Sequence, residues 1–359
     1  MILVDLFCGC GGFSLGAHRA GFNVAAAFDI DADLTSSYHH NFPKTKLVLA
    51  DISKLSGVDV VRAAGGVVNG IFGGPPCQGF SDIGKRRLDD PRRELVGHFF
   101  RVINEVRPEF FVMENVKGLA YADARGVLDQ AMIPVNAHYS IFGPQLWDAA
   151  EFGAATRRKR LFVIGIRKDK NITLTHHDFD RLKRAPADVN SAIGDLRYAT
   201  SLGEDAQGFD RWRISKPGRP ADYARGLRAT DGIFTGHRPT VHTRSVSERF
   251  AKVIPGKFDL IGRHPRLDWK GQCPTLRAGT GSDKGSFQSV RPLHPDEPRV
   301  ITVREAARLQ GFPDTHQFHP TVWHSFRMIG NSVSPIMSTA VFNAIAQRFG
   351  LSPPLAMAA

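Results

Sequence analysis

At 359 residues, 42% of them hydrophobic and 23% charged, the chain has an ordinary globular composition with room for two domains. No apolar run approaches the ~18 residues that cross a bilayer, and Met1 to Asp5 lacks the basic start and long apolar stretch of a secretory leader; a cytoplasmic address is the expectation. Lys and Arg outnumber Asp and Glu by 47 to 35, a net +12 that suits a polyanionic partner.

That excess is uneven, because residues 181–300 hold 22 basic against 13 acidic side chains, +9 of the total. Four cysteines, Cys8, Cys10, Cys77 and Cys273, are too few and too scattered for a disulfide framework or a zinc site, so no metal is expected. In chain order, Ile2 to Phe7 reads as a buried strand running into Cys8-Gly9-Cys10-Gly11-Gly12, with a helix over 13–20. Strand, glycine turn and helix open a nucleotide-binding, doubly wound sheet. A second strand over 24–28 ends at Asp29-Ile30-Asp31, about where a ribose hydroxyl needs a carboxylate, and a third over 47–50 ends at Asp51-Ile52.

A fourth strand, predicted over 67–72, is cut off by Gly73-Gly74-Pro75-Pro76, which holds Cys77 on a stiff loop followed by Gln78-Gly79-Phe80-Ser81. A thiol fixed at a strand end suits a nucleophile, although a Pro-Pro-Cys turn on its own reads sooner as an inert buried cysteine. A helix follows over 94–106, then a strand over 110–113 that leads to Glu114-Asn115-Val116, and a late strand over 161–165 preceded by Thr156-Arg157-Arg158-Lys159-Arg160. On an extended segment Arg158 and Arg160 would share a face. Residues 173–300 lose the alternation and predict an irregular second domain anchored by Trp212, Tyr223, Phe234, Phe258 and Trp269. Regular structure returns with a short amphipathic helix over 303–309 and a final one over 336–349.

Read together, these motifs resemble the cytosine-C5 DNA methyltransferases of bacterial restriction-modification systems. The matching stretches are Asp5-Leu6-Phe7-Cys8-Gly9-Cys10-Gly11-Gly12, Phe28-Asp29-Ile30-Asp31, Asp51-Ile52, Gly74-Pro75-Pro76-Cys77-Gln78-Gly79-Phe80-Ser81 and Glu114-Asn115-Val116. Arg158-x-Arg160, the run Arg304 to Pro313 and Gly330-Asn331-Ser332-Val333 continue the series. One departure is Thr156, where the family usually has Gln.

The resemblance implies a Rossmann-like S-adenosylmethionine-dependent fold, with residues 1–172 plus 322–359 as catalytic and cofactor-binding domain and 173–321 as target-recognition domain and hinge. It implies that Cys77 adds to C6 of a flipped-out cytosine, that Glu114 engages ring N3, and that Arg158 and Arg160 contact the carbonyl and phosphate. Phe7, Gly9, Gly11, Gly12, Asp29, Ile30, Asp51, Ile52, Pro76, Leu95, Asn331 and Ser332 would bind S-adenosylmethionine, and Gln78 and Ser81 would touch the DNA. Double-stranded DNA is the implied partner, with a cognate restriction endonuclease at the same site as a further one if the chain is half of a restriction-modification system and none if it is a solitary methylase, between which the sequence does not choose; a monomer near the nucleoid is expected. Alternatives within reach are a tRNA cytosine methyltransferase, whose Cys-Phe-Thr signature is absent, and a silent DNA-binding protein of the same fold. A nicotinamide oxidoreductase is disfavoured because the turn reads G-x-G-G-x-S rather than G-x-G-x-x-G.

Overall fold

Seven strands form the central sheet, in the order β3-β2-β1-β4-β5-β7-β6. They are β1 Ile2–Leu6, β2 Asn23–Asp29, β3 Lys46–Leu49, β4 Gly70–Gly73, β5 Phe110–Val116, β6 Tyr139–Asp148 and β7 Lys159–Arg167. The computed structural model describes residues 1–76, 94–214, 220–278 and 290–351, with the side chains of 122–124 excepted. Pairing is parallel from β3 to β5, whereas β7 runs against both β5 and β6. This is the doubly wound α/β sheet expected from the alternation of apolar strands with helices.

The helix Glu94–Val106 shows why the sequence folds this way. Val96, Phe99, Phe100, Val102 and Ile103 recur at helical spacing and are all buried; they pack in one cluster with Val4 and Leu6 of β1 and Phe111 and Met113 of β5. Two elements differ from expectation. β4 starts at Gly70, because Val67 is 71% exposed and pairing with β1 begins only at Leu3 opposite Gly70. β5 runs on through Glu114 to Val116, because β7 continues to pair with it after β4 has ended.

The chain divides into two units. Among the described residues, the first is built from Met1–Asp148, Lys159–Lys183 and the chain from Met337 on, and the second from Ala149–Arg158 and Arg184–Ile336. The second is less irregular than its composition suggested, since β8 Ala199–Glu204, β9 Asp210–Ile214 and β10 Ile233–Thr235 form an antiparallel sheet in the order β10-β9-β8. Of the expected anchors, Phe234 is buried but Phe258 is 62% exposed.

At the centre of this unit lies the helix Val303–Gln310, every residue of which is buried. A capping box starts it: Thr302 Oγ1 accepts from Glu305 N at 3.2 Å, and Glu305 Oε2 accepts from Thr302 N at 2.7 Å. Arg308 is held by Asp314 and Asp195, and Arg299 donates to both oxygens of Glu305 at 2.9 Å. Burial alone would raise the Glu305 carboxyl, but the hydrogen bonds and charge of Arg299 outweigh it and bring it to about 2, against an ordinary 4.5.

A group depressed in this way stabilises the fold above its unfolded pKa and loses that contribution as pH falls through the folded value. The expected contribution is about 3 kcal/mol, present above about pH 4.5 and lost towards pH 2. Glu305→Gln should therefore lower the melting temperature at pH 7 and flatten its dependence below pH 5; an unchanged acid profile would contradict this assignment.

Candidate active site

Phe7 leaves β1 with φ +67°, an uncommon backbone for a bulky residue, and starts the glycine turn. Gly9 follows at φ +49° and Gly11 at φ +85°, where a Cβ would collide with Phe42 and Tyr38. A Cβ on Gly9, by contrast, would meet nothing within 4 Å among the described residues, which leave the turn open on that side. Below it, Ser14 Oγ donates to Asp5 Oδ2 at 2.5 Å and bonds Tyr38 Oη at 2.7 Å. Asp5 Oδ1 is buried and finds no hydrogen-bond partner among the described residues. Sequence reasoning passed over this trio, although an aspartate inside the apolar run Ile2-Leu3-Val4-Asp5-Leu6 was a visible signal.

Asp29, at the end of β2, closes the far side of the turn. Its Oδ2 accepts from Gly9 N at 2.8 Å and its Oδ1 from Asp31 N at 2.9 Å. Burial raises its carboxyl above the ordinary range, and those two backbone donors offset part of the rise. Each oxygen retains acceptor capacity for a ligand hydroxyl. Ile30 beside it is 70% exposed, while Ile52 is 3% exposed and belongs to the core. Asp51 accepts from Ser53 Oγ at 2.7 Å and Ser53 N at 3.0 Å, which lower its carboxyl pKa. Arg101 braces this turn through Ile52 O at 3.0 Å and Leu55 O at 2.8 Å, a positioning role with no local sequence signal.

The mismatch between β4 and β5 creates the second part of the site. β4 stops at Gly73 opposite Met113, whereas Glu114 and Asn115 go on pairing with β7. The chain after Gly73 turns across this gap. Asn115 Nδ2 donates to Pro75 O at 3.1 Å, and a Cβ on Gly74 would touch Glu114 Oε2 at 3.0 Å. A side chain at this position would crowd the carboxylate and make it shift by a few tenths of an ångström. Pro76 is half-buried; Cys77, Gln78 and Ser81 lie outside the described residues.

Glu114 is a buried strand residue rather than a strand tip, and Arg160 Nε lies 2.7 Å from its Oε1. Burial lowers the Arg160 guanidinium, with Glu114 opposing that shift. Leu95, in the helix Glu94–Val106, is half-buried.

Arg158 and Arg160 do not share a face of one strand. β7 begins at Lys159, so Arg158 precedes it. Arg158 is fully buried and donates to Leu276 O at 3.1 Å and Gly330 O at 2.8 Å, which makes it a brace of the second unit. Beside it, Thr156 Oγ1 donates to Cys273 O at 3.1 Å, so the unusual threonine is satisfied. The same unit holds Asn331 and Ser332 at the end of the helix Val322–Asn331. Gln310 pins their turn by donating to Ile329 O at 2.8 Å and Ser332 O at 2.9 Å. The first unit thus gathers the glycine turn, Asp29, Asp51, Glu114 and Arg160, and the second gathers Arg158, Asn331 and Ser332.

Comparison with known proteins agrees with this geometry. The family model described as C-5 cytosine-specific DNA methylase matches residues 1–347. The chain is 40% identical to the Type II methyltransferase M.XorII of Xanthomonas oryzae pv. oryzae over 370 residues, covering 98% of this chain and 85% of that one. It is 31% identical to the Type II methyltransferase M.FnuDI of Fusobacterium nucleatum, covering 93% of this chain and 90% of its relative. Among solved structures it is similar to a candidate DNA modification methyltransferase encoded within an E. coli prophage, with TM-score 0.85 and 36% identity over 98% and 99% of the two chains. The S. pombe Dnmt2 methyltransferase, at TM-score 0.66 and 17% identity over 98% and 99% of the chains, shares the fold. The chain therefore belongs to the C-5 cytosine-specific DNA methylase family and is a DNA cytosine-C5 methyltransferase.

Proposed function

We propose that the chain methylates C5 of a cytosine flipped out of a specific double-stranded DNA sequence, using S-adenosylmethionine and a transient Cys77–C6 bond. The first unit carries the cofactor and the chemistry, and the second reads the target.

The observation that carries this reading is the buried Glu114–Arg160 pair lying against Gly74, three residues before Cys77. Cytosine C5 is a weak nucleophile. Addition of the Cys77 thiolate at C6 forms a C–S bond and pushes electron density to C5, and a proton or hydrogen bond delivered to N3 by Glu114 draws that addition forward; once C5 carries the methyl group, loss of its proton to a base expels the thiolate, which breaks the C–S bond and restores the ring. Arg160 orients the carboxylate, and Asn115 fixes the start of the nucleophile's loop.

The glycine turn fits S-adenosylmethionine: its face above Gly9 is open, an exposed Ile30 flanks it, and Asp29 offers acceptors for a ribose diol. Asp51, held by Ser53, would accept from an adenine amine, and the amides starting the helix Gly12–Arg19 suit a carboxylate. When bound, S-adenosylmethionine supplies an electrophilic methyl group on a positively charged sulfur. A base within a duplex is unreachable, so the target must leave the stack.

Methyl-labelled S-adenosylmethionine, offered with mixed-sequence duplex DNA and with tRNA in parallel, tests the proposal. Label recovered as 5-methylcytosine in duplex DNA is the expected result, and sequencing the product identifies the site. Label on tRNA alone would replace the substrate assignment, and label on neither with DNA still bound would indicate a silent binder. A companion endonuclease cutting the same site, as the Type II naming of the relatives suggests, would be found by challenging unmethylated DNA with host extract.

A further inference from the structure

A turn of the second unit carries surface that the reaction has not yet used. After the helix Arg244–Ala251 the chain runs out and back, with Arg266 N donating to Lys257 O at 2.8 Å and Asp259 N to His264 O at 2.9 Å. Its tip, residues 260–263, is closed from inside by Asp259, which is 1% exposed. That carboxylate accepts from Gly262 N at 2.5 Å and pairs with Arg249 Nε at 2.9 Å. Arg263 completes the bend at φ +55°. A tip built on a buried carboxylate and two ladder bonds is preorganised.

What this rigid tip displays is apolar. Leu260 is 94% exposed, Ile261 65% and Phe258 62%. Lys257 and Arg263, both exposed, flank these side chains and make no ion pair among the described residues. Large aliphatic side chains held in water on a fixed tip mark a contact surface, and the flanking cations select a partner that is charged outside and apolar within. A duplex has that layout, with phosphates lining a groove floored by stacked bases.

We infer that this tip is a wedge that enters a groove of duplex DNA, with Leu260 and Ile261 against the base stack and Lys257 and Arg263 on the bordering phosphates. The inference rests on the proposed DNA substrate and adds where the second unit grips it.

The test compares the full chain with Leu260→Ser/Ile261→Ser and with Lys257→Gln/Arg263→Gln, using mixed-sequence plasmid DNA, anionic phospholipid vesicles and light scattering. The Leu260/Ile261 variant should melt like wild type, because the altered side chains are exposed. It should lose on the order of 10- to 100-fold in plasmid methylation at limiting DNA, the scale of one good base contact, with the salt slope of binding unchanged. The Lys257/Arg263 variant should instead reduce that slope by about 2. Wild-type methylation by the Leu260/Ile261 variant would overturn the inference, as would unaltered DNA binding together with lost vesicle binding or lost self-association. If the wild-type chain labels no DNA at all, the substrate assignment fails first and the wedge falls with it.

Discussion

Replacing Cys77 by serine is expected to lower methyl transfer to duplex DNA by about 10⁴-fold or more, the scale of nucleophile removal in other covalent enzymes. The hydroxyl of serine is far less acidic than a thiol and cannot form the C6 bond at neutral pH. None of the described cysteines can take its place. Cys8, Cys10 and Cys273 are buried, and burial pushes the Cys8 and Cys273 thiols up, with the Asp5 and Asp29 carboxylates adding to the effect at Cys8. A thiol reagent at pH 7 should therefore modify Cys77 alone, read by mass spectrometry. Protection of Cys77 by bound DNA would place it at the substrate. Retained turnover in the serine variant would remove the covalent route.

Glu114→Gln should lower kcat by about 10² to 10⁴, the range for loss of a positioned acid or base, while KM for S-adenosylmethionine stays near wild type. Arg160→Met should do something different. It leaves a buried carboxylate without its guanidinium, which costs about 3–5 kcal/mol of stability as well as activity. The double variant Glu114→Gln/Arg160→Met should recover much of the stability and none of the activity. That pattern separates the chemical role of Glu114 from the bracing role of Arg160. Equal activity losses without any stability change in Arg160→Met would show that the pair does not form.

The first half of the sheet was legible because local rules and tertiary fate agree there. Ile2 to Leu6 is apolar apart from Asp5, both faces of a parallel strand are covered, and glycines follow it. The Thr302–Glu305 cap and the Pro335 start of the final helix are equally local signals. What was illegible depends on distant partners. β6 is an edge strand with a mostly half-buried surface, so it lacks a clean alternation. Glu114 lies within a strand only because β7, about 45 residues later, continues to pair with β5.

Arg158 sits in a run that reads as solvated basic surface, yet its acceptors are carbonyls 118 and 172 residues away. The helix Val303–Gln310 reads as amphipathic, but Arg299, Asp195 and Asp314 allow its charged residues to be buried as well. The motif residues were readable by resemblance. What Asp5, Asn115 and Gln310 hold in place, and the bracing by Arg101, emerge only from the folded chain.

The final helix, Pro335–Arg348, gives the order of synthesis a meaning. Ser338 donates to Gly12 O at 3.1 Å and lies where any Cβ on Gly16 would have to go. Phe342 packs on Phe13, Phe22 and Phe72 with ring centroids 5.0–5.7 Å apart. On the ribosome, these N-terminal rings emerge long before the helix that covers them, an interval of tens of seconds at roughly 5–20 residues per second. The nascent first unit must wait with one apolar face uncovered while the whole second unit is made. A chain released before this helix is made would leave Phe13, Phe22 and Phe72 without the ring that covers them, so the fold of the first unit is completed only by the last part of the chain.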